Sequence, residues 1–436
     1  MIETFKAIFK VEELRKRILF TLGLLVVYRI GSHIPTPGVD GSILASALSQ
    51  NTIFGLIDLF AGGAFAKATI FALSIMPYIS ASIMLQLLGQ VIPFLQRLQR
   101  EGEEGRRKIT QYTRYLTVLI AMLQAWGTAG FITTISFNGV SAVHMSTASF
   151  IPLTILTFTC GTIFIMWLGE QITERGIGNG ISLIIFIGII ARFPDAVVDE
   201  VLLVWHGSRS ILISAFLVAV MIGVIMSVIL VTRAQRKVPV QYPRRVVGRR
   251  VYGGATSHLP LSVNAAGVIP IIFAQSIMFL PATVAQLFPN TDWIQNLITV
   301  GLRPGGLWYS LIYGFIIVFF GYFYTAVVFN PMELADNMRK NGGYIPGIRP
   351  GKNTSDYIER ILTRITLPGA IFFAVIAILP WVLVGQFNVQ YFFGGTGLLI
   401  VIGVALDTLQ QIESHLLMRH YDGFLKKGRI RGRSMS

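Results

Sequence analysis

Residues 211–232 read ILISAFLVAVMIGVIMSVILVT, twenty-two residues without a charge, closed by Arg233. At 1.5 Å per residue a helix of this length covers about 33 Å, enough to cross the hydrocarbon core of a bilayer. Lipid offers the backbone no water, so such a run is stable there only as a helix that satisfies its own N–H and C=O groups. Working outward, nine further apolar runs appear: 18–34, 68–92, 115–137, 150–168, 176–193, 263–288, 307–330, 365–386 and 396–418. None shows the alternating ten-residue pattern of a transmembrane barrel. The sequence therefore predicts an all-α polytopic membrane protein with ten transmembrane helices.

Composition agrees. Of 436 residues 53% are hydrophobic and only 13% charged, against about a quarter charged in soluble domains, so a soluble globular fold is excluded. One cysteine, Cys160, leaves no intramolecular disulfide framework and no cysteine-rich metal site. The six His form no HExxH pair, and no cofactor is expected. The first run follows a basic stretch without a small-residue cleavage pattern and reads as an uncleaved span.

The charges then acquire addresses. The chain carries a net +15. With the N-terminus inside, 31 of the 36 Lys and Arg fall in inside segments and four outside, namely Lys67, Arg192, Arg209 and Arg303. Counting acids, the inside carries +18 and the outside −2. The positive-inside rule places both termini in the cytoplasm. Residues 1–17 form a cytoplasmic, amphipathic N-terminus, and 419–436 a basic cytoplasmic tail.

Ten spans divide into five and five, covering 18–193 and 211–418. An odd number per half makes the second half enter the membrane from the opposite side, so structural repeats here would be inverted ones, a design shared by many transporters. Residues 54–67, FGLIDLFAGGAFAK, are apolar but too short to cross, and two readings stand: a half-helix inserted from outside, or a helix lying on the outer surface. The second span carries Pro77 and the seventh Pro270 and Pro281. They read as interior prolines that kink helices and favour cavity-lining positions.

Ionisable residues in the spans are few: Arg29 and Glu413 sit near span ends and can snorkel, while Asp407 is open to an intramembrane role or an ordinary polar contact. GIRPGKN (347–353) lacks the spacing and the Ser/Thr of a phosphate loop, and the run of Gly176, Gly178 and Gly180 lacks dinucleotide spacing. No nucleophile with a base and no paired carboxylates are apparent. The reading is not an enzyme, and any energy comes from a partner. Two inside loops are long, 233–262 and 331–364. The first has seven Lys/Arg and no acid, which suits polyanion docking or simple orientation of the helices. In the second, YIPGIRPG holds Arg349 between two tight turns, suited to insertion into an acidic or phosphate-bearing partner or to plain solvation.

RIGSHIPTPG (29–38), IFALSIMPYISASIMLQLL (70–88), EGRRKITQYTRY (104–115), MWLGEQITERGIGNGIS (166–182), GRRVYGG (248–254) and YIPGIRPG (344–351) together resemble the SecY family of protein-conducting channels. The resemblance implies two inverted five-helix halves around an hourglass pore, through which polypeptides cross or leave sideways into lipid. It places a pore ring at Ile75, Ile79, Ile185, Ile272 and Ile400, where aliphatic side chains exclude water and ions by dewetting. It makes the 54–67 segment a plug, with Phe54, Leu56, Ile57, Leu59, Phe60, Gly62 and Gly63. It assigns Gln86, Gln124 and Asn264 to a lateral gate. Arg244, Arg245, Arg249, Arg250 and Arg349 fall where the family meets its motor and the ribosome. The implied partners are the SecE and SecG small membrane subunits, the SecA motor ATPase, the ribosome through rRNA, signal peptides, nascent polypeptides and the bilayer itself, with a bacterial cytoplasmic membrane as the location. The competing reading from another class is a small-solute secondary transporter. Its substrate site would need polar lining that the aliphatic positions do not offer. The resemblance fades at 132–149, 195–210 and 289–306.

Overall fold

The computed structural model describes residues 11–48, 58, 61–137, 140–242, 245–247, 250–252, 256–264, 267–287, 291, 293, 301, 305–387 and 395–427. In chain order the elements are α1 (Glu12–Gly31), α2 (Gly41–Leu48), α3 (Met76–Val91), α4 (Pro93–Arg100), α5 (Glu103–Thr134), β1 (Ser136–Phe137), β2 (Val140–Ser141), α6 (Thr147–Arg175), α7 (Gly180–Ile190), α8 (Phe193–Trp205) and α9 (Ile211–Arg233). They continue with β3 (Gln235–Gln241), β4 (Arg245–Val247), β5 (Arg250–Tyr252), β6 (Thr256–Ser262), α10 (Ile269–Leu287), α11 (Leu307–Val328), α12 (Pro331–Lys340), α13 (Lys352–Phe387) and α14 (Gly395–Lys427). Each of the ten expected runs carries a helix. Among the described residues, seven spans are long and apolar enough to cross a membrane, or eight if α3 and α4, bent by 100° at their junction, count as one.

Contacts divide the chain into two compact units, Met1–Arg192 with Val404–Ser436, and Phe193–Gly403. In the first unit the apolar core gathers Leu44, Ala61, Ala64, Phe65, Ala68, Ala72 and Leu73 against Ala125, Ala129 and Ile132 of α5 and Phe150 and Phe158 of α6. Small residues on α5 let it approach closely, as is usual between membrane helices. Arg114 of α5 donates twice to Glu170 of α6, Nε to Oε1 and Nη2 to Oε2, both at 2.9 Å. The late part of α14 belongs here because the 176–180 turn grips it. Gly178 N–H donates to Gln411 Oε1 at 3.0 Å, and Ile177 N–H donates to Thr21 Oγ1 of α1 at 3.1 Å. Around that turn Leu14 and Ile177 pack with Val11, Ile18, Ile412 and Leu416. The glycine run that is not a nucleotide site is thus a tight joint between α1, α7 and α14.

The second unit contains α8 to α13, and α14 begins within it. Pro380 lies inside α13 and cannot donate to the carbonyl of Ile376, four residues earlier. Gly395 at the start of α14 fills that vacancy in packing: any Cβ there would collide with the Ile376 carbonyl oxygen. Tyr313 of α11 hydrogen-bonds Thr396 across 3.0 Å, and Phe273 of α10 meets Phe320 of α11 edge to face at 5.8 Å.

The two long loops of this unit form one small domain. β3 and β6 pair antiparallel over seven positions, from Gln235 opposite Ser262 to Gln241 opposite Thr256. Val238, Val240 and Leu261 are buried on one side over Met338 of α12, Ile345, and Ile358 and Leu362 of α13. Tyr344 joins the edge, exchanging backbone hydrogen bonds with Gln241 at 2.9 and 3.0 Å.

Two readings of the sequence change. Pro77 is not an interior kink: α3 starts at Met76, so Pro77 occupies the first turn, where its missing N–H costs nothing. Pro270 likewise follows directly on the start of α10, leaving Pro281 as the interior one. Helices also outrun their apolar runs. α5 begins at Glu103 rather than 115 and α13 at Lys352 rather than 365, because helical hydrogen bonding does not stop where lipid does.

Candidate functional site

The positions proposed for the pore ring are all buried in helices whose other faces are not. Ile75 is the N-cap residue of α3, and Ile79 stands one turn on, its N–H donating to the Ile75 carbonyl at 3.2 Å. Ile75 and Ile79 are 1% and 4% exposed, Ile185 of α7 1%, Ile272 of α10 8% and Ile400 of α14 0%. By contrast Leu212 and Leu230 of α9 are 77% and 69% exposed. Ile75, Ile79 and Ile185 belong to the first unit, Ile272 and Ile400 to the second.

The approach to α3 is unusual backbone. From Gly62 to Ile75 the chain runs through successive turns, and Ala68 and Ser74 hold positive φ of 44° and 52°. Such left-handed residues cost about 1 to 2 kcal/mol each outside glycine. The first is held from outside: Thr36 N–H donates to the Ala68 carbonyl at 2.8 Å, and Ile70 N–H donates to the Ile34 carbonyl at 3.0 Å. The IPTPG stretch after α1 therefore fixes the segment that presents Ile75.

Of the residues expected in a plug, Phe54, Leu56, Ile57, Leu59 and Phe60 lie outside the described residues. Gly62 and Gly63 are described, with φ of +64° and +89°. A Cβ on Gly62 would stand 2.8 Å from the Gly188 carbonyl oxygen and 2.9 Å from its Cα, so this turn lies directly on the backbone of α7. Beside it, Asp58 is buried, its Oδ2 2.5 Å from Arg192 Nη2 and its Oδ1 accepting from Ala66 N–H at 2.8 Å. Burial pushes the Asp58 carboxyl above the ordinary carboxylate range, while Arg192 and the Ala66 N–H pull it back. Arg29 Nη1 donates to the Gly62 carbonyl at 3.3 Å. Arg29 therefore holds this turn, although its place near a span end suggested snorkelling.

Gln86, on α3, is half-buried and donates to Ser82 Oγ one turn back at 3.2 Å. Gln124 is half-buried on α5. Asn264 lines a shallow groove in the second unit with Pro270, Ile271, Thr325 and Phe373. Gln86 and Gln124 are in the first unit and Asn264 in the second.

On the small domain, Arg349 is exposed at the tip of its turn, anchored by buried Ile345 and by a hydrogen bond from Thr354 Oγ1 to its own carbonyl at 3.0 Å. Arg245 and Arg250 sit in β4 and β5, opposite Tyr252 and Val247. Arg244 and Arg249 lie outside the described residues. Among the described residues no group of His, Cys, Asp and Glu could hold a metal ion.

A family model named SecY matches residues 69–409. The chain belongs to the SecY family. Among its relatives, the protein translocase subunit SecY of Thermotoga maritima is 47% identical over 440 residues, covering 99% of this chain and 100% of that one. The fold is similar to a structure described by the statement that the plug domain of the SecY protein stabilises the closed state of the translocation channel and maintains a membrane seal. The TM-score is 0.65 at 18% identity, with 92% of each chain covered. It is also similar to Sec61 in the canine ribosome-channel complex from the endoplasmic reticulum, with a TM-score of 0.60 at 17% identity and 92% of each chain covered.

Proposed function

We infer that this chain is the pore-forming subunit of a membrane channel that passes unfolded polypeptides across the bilayer and releases transmembrane segments sideways into lipid. The observation that carries the reading is near full-length similarity to protein translocase subunits at 47% identity. The physical chemistry is consistent. A ring of Ile75, Ile79, Ile185, Ile272 and Ile400 has no fixed hydrogen-bonding preference, so it accepts varied side chains in transit and dewets when empty. Gln86, Gln124 and Asn264 serve as the polar contacts of a lateral gate, each worth about 0.6 to 2 kcal/mol, weak enough for an entering apolar helix to replace. Residues 54–67 act as the seal of the idle channel.

The chain itself carries no energy source in this reading. Arg349, exposed on a braced turn, and the basic strands β4 and β5 dock a motor of the SecA type or the ribosome; that the Sec61 neighbour is described in a ribosome-channel complex supports the second. SecE and SecG subunits complete the channel. The charge asymmetry of +18 inside against −2 outside supports cytoplasmic termini in a bacterial cytoplasmic membrane. The test is disulfide formation between a secretory precursor stalled in transit and a cysteine placed at 75 or 272, in a Cys160→Ser background. Crosslinks support the reading, and their absence at both positions overturns the pore assignment.

A further inference from the structure

The basic residues left outside the inside loops should be orienting or solvated charges. Arg209 is instead paired with Glu200 at 2.7 Å, and two others converge on one segment. Arg192 follows the end of α7 and Arg29 lies in the last turn of α1, and both turn to the segment that contains Gly62. Residues 61–68, AGGAFAKA, contribute Ala61, Ala64, Phe65 and Ala68 to the apolar core of the first unit, with Phe65 the one large apolar side chain among them. Directional contacts are added to that burial: the Ala66 N–H donating to Asp58 Oδ1 across the turn, the Gly63 N–H to the Asp58 carbonyl at 3.1 Å, Arg29 on Gly62, and Arg192 on Asp58. The Asp58 side chain is 5% exposed, and a carboxylate so buried is tolerated only with a countercharge.

We propose that Arg192 is the residue that holds the seal in its seat, by neutralising the buried Asp58 carboxylate, with Arg29 bracing the adjacent Gly62 carbonyl. This assignment rests on the reading of residues 54–67 as a movable seal. Asp58 shapes the turn by accepting the Ala66 N–H, and in doing so brings a charge into a place without water. Arg192 supplies the answering charge from just past the end of α7, the helix that carries Ile185. The seal is then tied to one wall of the proposed pore through side chains that separate whole when it leaves, each regaining solvent. Because only the seated arrangement buries the carboxylate, loss of Arg192 penalises the seated state and not the released one.

The experiment measures ion conductance of the purified channel complex in planar bilayers without substrate, with assembly checked by the amount of intact complex recovered. Five forms are compared: the unaltered chain, deletion of 54–67, Arg192→Lys, Arg192→Met, and Arg192→Met combined with Asp58→Asn. The deletion should leak. Arg192→Met should leak towards the level of the deletion, Arg192→Lys should stay near the unaltered chain, and the double variant should leak less than Arg192→Met because the orphaned charge is gone. If the deletion leaks while Arg192→Met stays tight, or if Asp58→Asn worsens rather than relieves Arg192→Met, the role of Arg192 is overturned and the seal reading stands. If the deletion itself does not leak, the seal reading falls and takes this assignment with it.

Discussion

Gly62 offers a measurement in which the structure sets the size of the effect. Its φ of +64° is one that alanine adopts only at a cost of about 1 to 2 kcal/mol. A new Cβ would also press on the backbone of Gly188 at 2.8 to 2.9 Å, where no side chain can swing away. Overpacking of this kind adds about 1 to 3 kcal/mol. Gly62→Ala should therefore penalise the seated segment by about 2 to 5 kcal/mol, and at 1.4 kcal/mol per decade the balance between seated and released moves by about 30-fold to a few thousand-fold. Gly63 is the internal control. Its φ of +89° carries the same backbone cost, but a Cβ there meets only the Arg192 side chain, at 3.8 Å or beyond. Gly63→Ala should shift the balance by only about 5- to 30-fold. The assay is single-channel conductance of the idle complex, scored as the fraction of time open. The order expected is Gly62→Ala well above Gly63→Ala, and Gly63→Ala above the unaltered chain. Equal leak from both variants would refute the close approach to α7, and a tight Gly62→Ala channel would refute the idea that this turn must sit on α7 for the channel to close.

Two further outcomes are expected. Arg349→Glu should strongly reduce motor-driven transport of a secretory precursor into vesicles while the complex still assembles, since the tip is exposed and braced by Ile345 rather than part of a core; unchanged transport would make the turn a passive connection. The second concerns pH. Burial holds the Asp58 carboxyl above the ordinary carboxylate range, and the charges that face it are Arg192 and Lys67. The seated state therefore binds a proton more tightly than the released state. Acidification through that raised value favours seating and lowers the leak, and seating weakens as pH rises through it. Arg192→Met raises the carboxyl further, so its leak should fall more steeply with acid than that of the unaltered chain. An equal acid response after Asp58→Asn would assign the effect to another group.

The spans were legible because lipid imposes a length and a composition. The run at 211–232 matches α9, Ile211–Arg233, almost residue for residue, since a charge ends both. Hydropathy reports lipid rather than helix, so the polar extensions of α5 and α13 escaped it. The late start of α3 escaped it too. Ala68 and Ser74 break the helix in a conformation that neither residue advertises, and at Ala68 the backbone partners Thr36 and Ile34 explain why it persists. The sheet of β3 and β6 was hidden by Pro239 and Pro260, residues that argue against a strand interior. In a two-stranded ladder every strand is an edge, where proline is tolerated. The alternation of Val238 and Val240 was the signal available. The five isoleucines were singled out only through the resemblance, because an isoleucine in a membrane helix says nothing alone about which way it faces. Arg29 and Arg192 were visible as stray charges. Their shared target was not, because pairing across 134 residues, as between Arg192 and Asp58, is a property of the fold.

The central claim is that polypeptide passes along the aliphatic positions of this chain. The most direct measurement places single cysteines, in a Cys160→Ser background, at 75, 79, 185, 272 and 400, and at the exposed α9 positions 222 and 230. It then scores disulfides to a cysteine in the stalled part of a secretory precursor. The account predicts crosslinks at ring positions and none at 222 or 230; crosslinks at the α9 positions with none in the ring would contradict it.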